Sequence, residues 1–186
     1  MLILCLGLAV FFLPHILREM GLREQLIGNL PSEGAYKGIV SLVSFAGLGL
    51  IIWGKAIAPF SMVFLPVFEW RVISHVAMLP AFILIAAGNM PPSHLSKNLK
   101  HPMLLGITIW GLAHLWANGD LASVLLFGSF SLWGLFKFVS LSRLPASPGK
   151  EPFIVWDVIA IFVGLVLYGL VAVYHGQLFG VGLSLV

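Results

Sequence analysis

Charge is what this sequence has least of. Asp, Glu, Lys and Arg make up 9% of its 186 residues, against about 25% in a soluble domain. A chain this poor in charge lacks the polar coat of a water-exposed surface, which excludes an ordinary soluble enzyme. Cysteine is nearly absent too. Cys5 stands alone inside an apolar run, so an intrachain disulfide is impossible, and a packing role is expected. Several motifs are missing: CxxC, a P-loop, GxGxxG before a helix, and GxSxG. Acids within the apolar runs are scarce as well. Glu69, Asp120 and Asp157 fall near run ends, which disfavours a proton pump with a buried carboxylate relay. The net charge of +3 comes from scattered basic residues rather than a cluster, so no nucleic-acid footprint is expected.

What the chain does have is apolar length. Hydrophobic residues reach 60% and the mean hydropathy is +1.05. About 20 helical residues cross a bilayer. On that scale the sequence predicts an all-α, polytopic transmembrane bundle of six helices, at about 1–17, 38–54, 71–88, 102–117, 121–139 and 153–175. It reads as one domain over 1–186. The first run has no basic residue before it and no cleavage pattern after it, so an uncleaved helix is expected. Pro59 and Pro66 interrupt residues 56–70, which suit a re-entrant or interfacial segment better than a span. The tryptophans, Trp70 among them, fall mostly near run ends, as in an aromatic belt.

Lys and Arg set the orientation. Arg18, Arg23, Lys37, Lys97, Lys100, Lys137, Arg143 and Lys150 share one side, leaving Lys55 and Arg71 on the other. The basic side is expected to be cytoplasmic, with both termini outside.

Six histidines then sort by depth. His15, His94 and His101 fall toward the cytoplasmic face, and His75, His114 and His175 toward the outer face. His101 and His114 share one helix, but roughly 20 Å of rise separates them, so they cannot serve one ion together. Ionisable groups at membrane depth face the bundle interior with a partner. Two imidazoles at similar depth on neighbouring helices suit the axial positions of a b-type haem. His75 with His114 is the leading pair, and His15 with His101 the second. The plainer alternative for His75 and His114 is an interhelical hydrogen bond or an interfacial place, and for His15 and His101 the capping of helix ends at the interface. His94 is expected to be a solvated loop residue and His175 an interfacial one.

The stretch HPMLLGITIWGLAHLWANGDLASVLLFGSF, residues 101–130, closely resembles the core of the NnrU family of bacterial integral membrane proteins. FFLPHILR (11–18), His75 with MLPAFIL (78–84), and HGQLFGVGL (175–183) extend the resemblance over essentially the whole chain. Ile16 stands where the family pattern has serine, and Gly176 where it has proline. The resemblance implies a multi-pass protein of the bacterial inner membrane linked to nitrite and nitric oxide metabolism in denitrification. The family is also similar to zeta-carotene cis–trans isomerase, a membrane enzyme with histidine-ligated haem b. That likeness implies redox or isomerase-type activity on a small apolar or nitrogen-oxide-related ligand.

Two other readings compete. His101-Pro102, Gly106, His114 and Asn118 also resemble S-adenosylmethionine-dependent membrane methyltransferases of the isoprenylcysteine type. Those enzymes carry paired glutamates one helix later, where GLFKFVSLSRL (134–144) has no acid. A non-catalytic assembly or accessory protein would instead act through a membrane-protein partner within the lipid bilayer.

Overall fold

The computed structural model describes residues 1–67, 71–144, 151–180 and 183. Glu69, Trp70 and Lys150, along with part of the 175–183 motif, lie outside the described residues. Among those described the secondary structure is helical: α1 (Leu2–Ile16), α2 (Arg23–Gly28), α3 (Glu33–Ala56), α4 (Arg71–Ala87), α5 (His94–Leu99), α6 (Pro102–Ala117), α7 (Leu121–Ser142) and α8 (Ile154–Phe179). Each of the six expected spans has a helix. Of these, α3, α7 and α8 are long and apolar enough to cross a membrane; α1, α4 and α6 are shorter apolar helices.

The helix limits differ from expectation for identifiable reasons. Helix α3 starts at Glu33 rather than Gly38 because its polar first turn is well capped. The Ser32 hydroxyl accepts from the Ala35 N–H at 3.1 Å, and Glu33 pairs with Lys37 one turn on at 3.2 Å, as helix starts favour. Arg23 on α2 reaches the same glutamate at 3.0 Å. At the other end of the chain, α8 continues to Phe179 and stops where Gly180 takes a left-handed φ of 73°, a conformation that suits glycine.

Two compact units make up the chain. The first joins residues Met1–Phe64 to Gly119–Ser129. Its core is the antiparallel contact of α1 with α3, where small residues let two backbones meet. A Cβ on Gly47 would lie 2.7 Å from the Phe11 nitrogen, one on Gly7 2.6 Å from the Ile51 nitrogen, and one on Gly54 would strike the Leu4 backbone.

The link after α3 is pinned rather than helical. Val63 N–H donates to the Gly119 carbonyl at 2.8 Å and Leu121 N–H to the Ser61 carbonyl at 2.7 Å, framing a single antiparallel bridge between Met62 and Asp120. Lys55 closes this clasp, its Nζ donating to Asp120 at 2.9 Å and to the Ser123 hydroxyl at 2.7 Å. Asp120 also accepts from the Ser123 N–H at 3.0 Å, so one carboxylate caps α7 and anchors Lys55.

Burial works against the Asp120 charge. The Ser123 hydrogen bonds and the Lys55 ammonium outweigh it and hold the carboxyl below its ordinary range. A depressed folded value means that the stabilisation is complete above the unfolded value, about 3.9, and is lost as pH falls below it. The melting temperature of the intact protein in detergent should therefore drop more steeply between pH 5 and pH 3 than that of Asp120→Asn (a range set by about 3.9). Parallel curves would show that the carboxylate contributes nothing.

The second unit comprises residues Leu65–Asn118 and Phe130–Val186. Helix α4 is its centre and packs against both α6 and α8. Both contacts are antiparallel and tight at glycine. A Cβ on Gly106 would lie 2.7 Å from the Ala81 carbonyl, and one on Gly164 2.6 Å from the Ile83 Cα. Helix α7 joins α6 through Gly134, set against Thr108, whose hydroxyl turns inward to the Leu104 carbonyl at 2.8 Å.

Candidate cofactor site

The second unit has two polar ends, and the histidines divide between them. At the end bearing Lys97 and Lys100, Asp157 in the first turn of α8 is 6% exposed. It accepts from the backbone N–H groups of His94 and Leu95 at 3.0 and 2.9 Å and meets the His94 Nδ1 at 2.9 Å. Ser93 and Ser96 complete a capping box on the same turn. His94 is thus tied to α8 and opens a helix rather than lying in a loop, while its side chain stays exposed as expected. The arrangement is structural: it supplies the first N–H groups of α5 with a carboxylate acceptor from another helix.

The opposite end carries His114. Its Nδ1 lies 2.8 Å from the Trp110 carbonyl, which fixes the neutral ring as the tautomer with its lone pair on Nε2. The Trp110 ring sits 4.9 Å away, tilted 49°, and Phe130 packs edge-on against Trp110 at 5.7 Å. Asn118 donates to the His114 carbonyl at 2.9 Å and secures the last turn of α6. A histidine oriented through Nδ1 by a backbone carbonyl is the usual arrangement of an imidazole metal ligand.

The helix register sets the depth of its neighbours. Gly106 lies against Ala81 and Ile85, whose midpoint is position 83. His114 is eight residues beyond Gly106 (114 − 106), and His75 is eight before that midpoint (83 − 75). At about 1.5 Å per residue both stand about 12 Å along, on one level. Ser74, beside His75, continues the Ala81 and Gly88 row that faces α6. It is 8% exposed, and its hydroxyl makes no hydrogen bond among the described residues. His175 belongs to the same end. Its ring is tilted 55° against that of Phe179 at 4.9 Å.

The second sequence pair is divided. His15 lies in the first unit, its Nδ1 2.6 Å from the Phe11 carbonyl and its ring stacked on Phe11 at 4.7 Å. It borders a cavity of about 230 Å³ with Val40, Ser41, Ser44, Phe45 and Leu48. His101 lies in the second unit as the N-cap of α6, without a side-chain capping bond. No cluster of three or more His, Cys, Asp or Glu side chains suited to a metal ion occurs among the described residues. Two imidazoles suffice to hold a haem, so His75 and His114 fit that group in number and depth, and His114 leaves its Nε2 open.

Comparison with curated proteins gives no match, and comparison with solved structures gives none. The family model described as NnrU protein matches residues 3–183 of the chain. A match over nearly the whole length, on a helical chain with apolar spans and the 101–130 block at its centre, places it: the protein belongs to the NnrU family.

Proposed function

We propose that this NnrU-family protein is a multi-pass inner-membrane haem b protein acting in nitrite and nitric oxide metabolism, with His114 and His75 as the residues that would hold the haem. The observation that carries the reading is the level placement of His75 with a His114 ring whose Nδ1 is held by the Trp110 carbonyl. The aromatic surround of Trp110 and Phe130 suits a macrocycle. The buried Ser74 hydroxyl offers a hydrogen bond to a polar edge of the bound group. The link to nitrogen oxides rests on the family resemblance, as does the likeness to a haem-dependent isomerase. When bound, the haem would supply one-electron chemistry or an iron site for a small ligand. Among the chain's own residues, the Trp110 carbonyl orients the His114 imidazole.

The test is a visible spectrum of the full chain purified after expression with ample haem precursor. A Soret band is expected, and His114→Ala and His75→Ala should each remove or shift it. His94→Gln, at the far end of the unit, should leave it unchanged. A protein without a Soret band overturns the cofactor, and an unchanged spectrum in His114→Ala overturns the ligand. A shift in His175→Ala with none in His75→Ala would move the second ligand to α8.

A further inference from the structure

The second half of α7 presents one exposed apolar stripe. Leu132 is 71% exposed, Phe136 51% and Val139 40%, and exposed Arg143 follows at the same helical spacing. Positions 132, 136, 139 and 143 are three or four residues apart, so they fall on one face about 16 Å long. The stripe belongs to a helix apolar enough to cross a bilayer, and a fatty acyl chain is the surface it fits.

Its polar end is built from two segments. Lys100 reaches the last turn of α7, where its Nζ donates to the Ser142 carbonyl at 3.2 Å. It does so from a backbone with φ 58° and ψ −53°, a left-handed conformation that a glycine would adopt at lower cost. A lysine held there sets its ammonium on the carbonyl of Ser142, the residue before Arg143. One of its three N–H donors goes to the carbonyl, which leaves donors for an anion. The neighbouring Lys97 is instead engaged by Glu151 at 3.8 Å.

We infer that this face holds an anionic phospholipid, its phosphate and acidic headgroup between Lys100 and Arg143 and one acyl chain along Leu132, Phe136 and Val139. Charge complementarity selects the lipid class. A zwitterionic headgroup brings its own cation to a site that already has two, whereas a net-negative one is drawn in by about fivefold per basic group. The basic side of the chain is the side expected to face the anionic cytoplasmic leaflet.

Native mass spectrometry of the full chain, released from detergent with added phosphatidylglycerol or phosphatidylcholine of matched acyl chains, tests the inference. The wild type should retain phosphatidylglycerol about tenfold more readily, and Arg143→Gln should lower that preference several-fold with helicity unchanged by circular dichroism. Arg143→Gln leaves the Lys100–Ser142 contact in place, so it tests the charge without disturbing the fold. Lys100→Gln should erode the preference further, and Lys100→Arg should restore it. Equal retention of the two lipids by the wild type would overturn the inference. So would a phosphatidylglycerol preference undiminished in Arg143→Gln, or inorganic phosphate displacing the lipid at equal concentration.

Discussion

Gly119→Ala should be the most damaging single methyl added to this protein. A Cβ at that position would be driven into the Phe64 carbonyl oxygen, and that contact is backbone against backbone. Gly119 itself accepts from Val63 and Phe64, so relief requires the whole clasp to open. Overpacking typically costs about 1–3 kcal/mol, and the upper end is expected because no side chain can swing aside. The neighbouring Lys55–Asp120 contact would be lost with it. Limited proteolysis of purified protein should show new cleavage between residues 57 and 67, with a lower melting temperature. A variant that melts with the wild type and resists protease there would show that the clasp is not a constraint.

A second series concerns the glycines of α3, four of which divide by what faces them. Gly47 and Gly54 meet the α1 backbone, whereas Gly38 and Gly49 have nothing within 4 Å. Alanine at Gly47 or Gly54 should therefore push α1 away and cost about 1–3 kcal/mol. Alanine at Gly38 or Gly49 should be neutral or stabilise by about 0.5–1 kcal/mol through helix propensity. Unfolding in sodium dodecyl sulfate, followed by circular dichroism, separates the two groups. If all four variants behaved alike, the loss at Gly47 and Gly54 would owe nothing to the contact with Phe11 and Leu4.

Legibility in the sequence followed the range of the interaction. The six apolar helices were readable because a run's length and hydropathy are local properties. The separation of His101 from His114 along one helix likewise followed from helical rise alone. What escaped were features made by contacts across the chain. Helices α2 and α5, six residues each, are too short to show an apolar period. The second takes its N-terminal acceptor from Asp157, 63 residues away from His94. The signal there was the cost of an acid in the first turn of an apolar helix; its partner had no signature. The start of α3 was missed because its first turn is polar and depends on a cap rather than on hydropathy. Lys55 and Asp120 were visible as lone charges at run ends, but 65 residues separate them. The end of α8 was placed at position 175, whereas the helix continues to Phe179.

Asp157 also imposes an order of assembly. Its ligands, the N–H groups of His94 and Leu95, leave the ribosome well before it does. Until α8 has been made, the first turn of α5 lacks the Asp157 carboxylate that accepts its hydrogen bonds. The segment between α4 and α6 therefore waits in an open state while two further helices, α6 and α7, are made. Only when α8 docks on α4 through Gly164 does the acid arrive at the end of the unit. The last helix synthesised is the one that locks a connection made near the middle of the chain. A chain truncated before Asp157 would form its earlier helices and still lack the acceptor for the first turn of α5.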